Sequence, residues 1–358
     1  MSDGSSPLVR ASLRKWIILV ALLGYAGVIL YLFYFVGIGE LISVLARINI
    51  IIYLFAIASL IIAYTAHTLV WFQLLKDLSI KLSFRRTLML YWTGVFVDDL
   101  IPGGWSGDLF KAYLLNKDPT VQSGKAVASV VAKNMYEAVF NIGNMLLGVG
   151  LILLNYSFEG SLLLTLGVIM TLLTLPLVIL MIASFRPNSA KKVIAALFRF
   201  LSYFSKKRER LDSLQSKINK ALSDYHEGIQ LLLSNRRMLL KPTLLSLFAW
   251  ASELITLIFV FASLGQIIPT DKVIIVHAIS GNIPQGYAFT GYSQIIITAL
   301  YNALGVNLGL AASVALLDGV LIFWIKTGIS YAAFHYTVFS PRTRLNNTVE
   351  KETQDLAT

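Results

Sequence analysis

Long apolar runs separated by short polar stretches set the pattern of this chain. Six of them, residues 16–36, 50–74, 126–154, 161–184, 242–264 and 306–338, supply the roughly 20 mostly apolar residues that a helix needs to cross a bilayer. The pattern predicts an all-α polytopic membrane protein with six full spans. Arg10, Arg14 and Lys15 precede the first run with no small-residue cleavage site, so that run is expected to remain as an anchor.

Two further apolar segments are broken in the middle. The first, 84–115, contains Asp98, Asp99, Leu100, Ile101, Pro102, Gly103, Gly104, Trp105, Ser106, Gly107 and Asp108; the second, 272–304, contains Asn282, Ile283, Pro284, Gln285, Gly286, Tyr287, Ala288, Phe289, Thr290 and Gly291. Each has an Ile-Pro-x-Gly core. Proline removes a backbone donor and glycine relaxes the helix, so each core is expected to end one short helix and let another begin. Arg85 and Arg86 on one side and Lys117 and Lys125 on the other put both ends of the first segment in the cytoplasm. The second then starts and ends outside, and both read as re-entrant hairpins whose broken backbone must face protein or water. The same Pro-Gly pairs also fit kinks in full spans, and charge leaves that arrangement open, because an even number of extra crossings returns the termini to the same side.

Taken as hairpins, the order is span, span, hairpin, span, and then the same again with the orientation reversed. Residues 1–155 form the first membrane repeat and 156–340 the second, with an insert over 185–241. Inverted repeats with discontinuous helices are an architecture of secondary transporters. The insert alternates Val193, Ile194, Leu197, Phe198, Leu201 and Phe204 with Lys191, Lys192, Arg199, Lys206, Lys207 and Arg208, as an interfacial helix does. It fits a bilayer-surface hairpin and equally a docking surface for a partner. Residues 341–358 read as a polar, disordered tail.

Composition changes the picture in three ways. With 56% hydrophobic and 14% charged residues, the 358-residue chain lacks the polar surface of a soluble globule. The absence of cysteine excludes disulfides, thiol catalysis and Cys-ligated metals. The net charge of +11 sits in short segments beside the spans, which argues for orientation and not for nucleic acid. With both termini cytoplasmic, only Arg47 and Lys272 among the basic residues face outside, as expected for a multi-pass protein of the cell membrane.

Charged side chains at membrane depth usually face a cavity or a partner. Asp98 and Asp99 precede the first break, and Asp108 and Lys111 come after it. Lys133 and Glu137 lie one turn apart, with Lys133 roughly 14 Å into its span. An internal ion pair accounts for these two without a function; pairing and function are also compatible. Asp108 and Lys111 stand at a helix start where backbone donors favour an anion, so a phosphate fits with Lys111 as countercharge; Asp108 alone fits an N-terminal acid. The second break offers Gln285, Tyr287, Thr290, Tyr292 and Gln294, polar and uncharged. His277 reads as a core histidine. Glu253, Asp318 and Lys326 lie within late spans as lining residues with no partner legible in sequence. No Walker loop, paired metal-ligating histidines or Gly-x-Ser-x-Gly elbow is present, and no cofactor or metal is expected.

The chain resembles the transmembrane region of the lysylphosphatidylglycerol synthase family, which is flippase-like. The stretch from Ile101 to Tyr113 is similar to that family's Pro-Gly, Gly-acidic, basic-x-aromatic pattern, and Pro284 to Val306 is its second piece. The chain departs from it at Lys133, Asn134 and Glu137, where the family carries an acidic-Arg pair and another acid, and at Gln294 in place of an acid. The candidate substrate-binding residues are Asp98, Asp99, Gly103, Gly104, Gly107, Asp108, Lys111, Tyr113, Lys133, Glu137, Glu253, Gln285, Tyr287, Tyr292 and Gln294. The resemblance also implies that the chain lacks the soluble aminoacyl-transfer domain of synthase relatives.

The expected function is therefore a lipid flippase, not an enzyme, that moves a phospholipid or polyisoprenyl-phosphate-linked head group between leaflets. The two hairpins would supply the head-group site near the midplane, with membrane lipids as partners. Two other readings remain open: a membrane-embedded lipid-phosphate transferase using Asp98, Asp99 and Asp108, and a non-transporting subunit of a separate synthase docked on the insert.

Overall fold

A computed structural model describes residues 42–43, 46–101, 106–118, 121–156, 175, 236–282 and 291–339. Eight helices account for nearly all of them, and there is no strand among the described residues. They are α1 (Ile50–Asp77), α2 (Phe84–Leu100), α3 (Ser106–Asn116), α4 (Ser123–Asn155), α5 (Arg236–Ser263), α6 (Thr270–Ser280) and α7 (Tyr292–Ala303). The last, α8, runs as Leu308–Gly319, a π-helical turn Val320–Ile325, and Lys326–Phe339.

Helices α1, α4, α5 and α8 are long and apolar enough to cross a membrane, and they cover four of the six predicted spans. The spans predicted at 16–36 and 161–184, the insert up to residue 235 and the tail 341–358 lie outside the described residues, apart from the helical Leu175. Within the described residues helix α5 extends back to Arg236, before the expected residue 242, through a polar stretch with Arg236, Arg237 and Lys241 that an apolar count passes over.

Large apolar side chains are exposed along the spans, and several polar ones are buried beside the apolar core. Leu54, Phe55, Ile61 and Ile62 on α1, Leu146, Leu153 and Leu154 on α4, and Leu244, Leu247 and Phe248 on α5 are exposed, while Ser59, Thr68, Ser129, Lys111 and Lys133 are buried. Apolar side chains out and polar ones in is the arrangement that hydrocarbon as solvent selects, since polar groups find partners only inside the protein. In the first part of α8 the buried residues are mostly small, Gly309, Ala311, Ala312, Ser313, Ala315 and Gly319, which lets neighbouring backbones approach closely.

The chain forms two compact units: Met1–Ile61 with Leu88–Asp108 and Ser252–Thr358, and Ile62–Thr87 with Leu109–Ala251. In the first unit α1 and α5 run antiparallel. The Asn49 amide donates to the Ser263 carbonyl, the Phe55 and Phe259 rings stack at 5.8 Å, and the Ser59 hydroxyl donates to the Ser252 carbonyl. Helix α2 runs antiparallel to the end of α8 by the same logic: Thr93 bonds Thr337, the Phe96 ring packs on Phe334 and Tyr331, and Asp99 pairs with Lys326 at 2.8 Å. In the second unit α1 meets α4 through the Trp71 indole, which donates to the Ser129 hydroxyl, and α4 meets α5 where the Tyr136 hydroxyl donates to the Leu239 carbonyl.

The described helices stop on either side of both Pro-Gly cores: α2 ends at Leu100 and α3 starts at Ser106, α6 ends at Ser280 and α7 starts at Tyr292. At the first break the chain doubles back. A Cβ on Gly107 would collide with the carbonyl oxygen of Gly94 and the carboxylate of Asp98. In one continuous helix those two glycines, thirteen residues apart, would lie about 20 Å from each other. The Asp98 carboxylate holds the reversal by accepting the Gly107 amide at 2.6 Å and the Ser106 hydroxyl at 3.1 Å.

Gly107→Ala is accordingly expected to destabilise the first break by about 1–3 kcal/mol, as overpacking does, read as a lower unfolding temperature in mild detergent. Lys326→Met leaves the buried Asp99 carboxylate without its countercharge and is expected to cost about 3–5 kcal/mol in the same measurement, most of which Asp99→Leu in the same chain should restore.

Candidate functional site

Two polar clusters, one in each unit, gather most of the described residues that the sequence singles out. The first is built on helical spacing. Tyr64, His67 and Trp71 on α1 recur every three or four residues, and so share a face; Ser129, Lys133 and Glu137 on α4 recur every four. The two faces meet. Trp71 donates to Ser129 at 3.2 Å, the Lys133 ammonium donates to Glu137 at 2.8 Å, and His67 Nδ1 lies 3.7 Å from the other Glu137 oxygen. Lys111 on α3 joins them from the side, with its ammonium 5.6 Å from the centre of the Trp71 ring.

Both lysines are deeply buried, Lys111 at 2% exposure and Lys133 at 6%, whereas the Glu137 side chain is one-third exposed. A lysine at that depth is tolerated when its ammonium is engaged. Trp71 and Ser129 are bonded to one another and Ser129 donates on to the Ala126 carbonyl, so the feature of this place that suits anionic oxygens is the positive charge of its two buried ammonium groups.

The second cluster, in the first unit, centres on α8. The Asp99–Lys326 pair is buried on both sides. Glu253 on α5 faces His277 on α6 at 3.3 Å, and Asp318 on α8 lies within electrostatic reach of both His277 and Lys326. The Tyr53 hydroxyl donates to the carbonyl of Leu317, next to Asp318. Glycine at 319 lets α7 close in, because a Cβ there would stand 2.6 Å from the Gln294 amide nitrogen.

The remaining site residues divide plainly. Asp98 and Gly107 shape the first break, and Asp108 is buried in the first turn of α3. The Gln294 side chain accepts the Gly291 amide at 2.6 Å and so closes the start of α7. Tyr113 and Tyr292 are exposed, with the Lys117 ammonium 5.0 Å over the Tyr113 ring. Gly103, Gly104, Gln285 and Tyr287 lie outside the described residues. Sequence reasoning passed over His67 and Trp71, whose one signal was their shared helical face with Tyr64. It noted Glu253, His277, Asp318 and Lys326, but not that they converge.

Proteins of similar sequence occur among archaeal membrane proteins. A UPF0104 membrane protein of Pyrococcus horikoshii is 28% identical over 312 residues, covering 84% of this chain and 91% of that protein. UPF0104 membrane proteins of Methanothermobacter thermautotrophicus and Methanocaldococcus jannaschii are each 20% identical, over 89% and 85% of this chain and 94% and 90% of theirs. The family model for the lysylphosphatidylglycerol synthase TM region matches residues 17–330, nearly the whole helical part, and the chain belongs to that family of membrane proteins.

Proposed function

We propose that the protein is a lipid flippase whose second unit binds an anionic head group, a phospholipid phosphate or a polyisoprenyl phosphate, while the hydrocarbon chains stay in the bilayer. The observation that carries the reading is the pair of deeply buried lysines, Lys111 and Lys133, gathered with Trp71, Ser129, His67 and Glu137 in one place. Buried ammonium groups suit a phosphate, which offers several charged acceptors at once, and the membrane brings such head groups to the protein. Glu137, one-third exposed, partly balances the charge of the two lysines.

Two placements favour transport over a transferase built on Asp98, Asp99 and Asp108. Asp98 is engaged by the backbone and hydroxyl of the first break, and Asp99 by Lys326. Both carboxylates have structural duties that a metal-binding or base role would compete with.

The finer architecture is six full spans with two re-entrant hairpins in an inverted repeat. Helix lengths support it. At 1.5 Å per residue, α3, α6 and α7 extend only about 16–18 Å, well short of the roughly 30 Å hydrocarbon core. A return of α3 toward the side from which α2 enters is supported by the Arg86 guanidinium, near the start of α2, which donates to the Asp118 carboxylate just past α3 at 2.9 Å.

Native mass spectrometry in mild detergent tests the head-group site. Wild-type protein is expected to retain an anionic lipid, and Lys111→Ala to weaken its binding by about 1.5–3 kcal/mol, roughly 10- to 100-fold in Kd, at unchanged folding. Equal retention of bulk lipid by both proteins would overturn the site. Since the chain has no cysteine, single cysteines map the topology cleanly. Ser83→Cys and Lys117→Cys should label with an impermeant maleimide from the cytoplasmic side, and Lys272→Cys and Asn307→Cys from the opposite one. Labelling of the first two from opposite sides would make 84–115 a crossing.

A further inference from the structure

The cluster in the first unit has a chemistry of its own. Helices α5, α6 and α8 bring Glu253, His277 and Asp318 to matching depth: Glu253 is ten residues from the end of α5, His277 seven into α6, and Asp318 ten into α8. At 1.5 Å per residue these are about 10–15 Å from one end of each helix, close to half the hydrocarbon thickness.

Asp318 is the unusual member. It makes no hydrogen bond to another described residue, although it lies within electrostatic reach of His277 and Lys326. Both neighbours already face other carboxylates, His277 that of Glu253 at 3.3 Å and the Lys326 ammonium that of Asp99 at 2.8 Å. From α1 the Tyr53 hydroxyl approaches but is committed to the Leu317 carbonyl; from α7 comes Tyr301, fully buried, whose hydroxyl has no hydrogen-bond partner. A carboxylate here therefore has no counter-ion of its own. The remaining means of neutralising it is a proton, and an imidazole beside it is the side chain best able to accept or return one.

The backbone adds a second, independent sign. The π-helical turn Val320–Ile325 separates Asp318 from Lys326, with the Lys326 amide bonded to the Leu321 carbonyl five residues back. Single π turns inside α-helices are frequent at functional sites. Here one lies between the two charged residues of α8.

We propose that Glu253, His277 and Asp318 form a proton-binding site that makes the proton the coupling ion of transport, a role that rests on the head-group reading. When the site opens to water, the Asp318 carboxylate takes a proton from hydronium, breaking one O–H bond in water and forming one on the carboxyl. When it opens to the other side, that proton returns to water. His277 shares its Nε2 proton with Glu253 and supports either state of Asp318. The site is closed to bulk water only when neutral, so proton occupancy and access change together.

The test uses the full chain reconstituted in phosphatidylcholine vesicles that carry either a fluorescent phosphatidylglycerol or a fluorescent polyprenyl phosphate, with pyranine trapped inside and the potential clamped. A gradient of about one pH unit should sustain a roughly tenfold leaflet asymmetry of the probe if one proton accompanies each head group. Asp318→Asn, and independently His277→Gln, should move the probe only to equal distribution, at wild-type size-exclusion profiles. Wild-type redistribution to equality whatever the gradient would overturn the proton site and leave the head-group reading standing. Proton entry without probe movement, lost in Asp318→Asn, would uphold the proton site and sink the head-group reading. Movement of neither would overturn both.

Discussion

An ionised side chain inside hydrocarbon is tolerated only when something within the protein answers its charge, and this constraint organises the described structure. Asp99 and Lys326 answer one another across 227 residues of sequence and tie α2 to the end of α8. Lys133 and Glu137 answer one another within a single helix, and Glu253 and His277 join α5 to α6. The Asp99–Lys326 pair is buried on both sides, whereas the Glu137 and Glu253 carboxylates each stay about one-third exposed. Removing either member of the most buried pair leaves the other as an uncompensated charge, which costs more than the pair contributes.

The two breaks obey the same constraint applied to the backbone. A helix that stops within the membrane exposes amides and carbonyls that lipid cannot satisfy. At the first break a side chain from the preceding helix, Asp98, accepts the Gly107 amide and the Ser106 hydroxyl at the start of α3; at the second, Gln294 reaches back from within α7 to the Gly291 amide. The residues therefore differ in direction while solving one problem. As a result, two residues whose chemistry recommends them as ligands, Asp98 and Gln294, are occupied in keeping discontinuous helices folded. The groups left for function are the ammonium-rich face of α1, α3 and α4 and the titratable set around Asp318.

Much of this was legible in the amino-acid order. Apolar runs located α1, α4, α5 and α8, because burial in lipid demands about 20 apolar residues wherever a helix crosses. The Ile-Pro-x-Gly cores located both breaks, since proline and glycine act on the backbone within a turn of where they stand. The Lys133–Glu137 pair was readable from spacing alone, being one helical turn apart. The convergence of Lys111 with Trp71 and Ser129, or of Glu253 with His277, had no such local signature.

What the sequence by itself determined, then, was every feature that acts over a few neighbouring residues: the solvent each helix faces, where helices end, and which charges share a face. The tertiary structure alone decided which distant side chains meet. His67 became a neighbour of Glu137 only because α1 and α4 pack face to face, and Asp318 stands apart from a counter-ion only because Lys326 had been claimed by Asp99 on another helix. Pairing between helices depends on register and side-chain shape summed over whole faces, and that sum is not written at any one position.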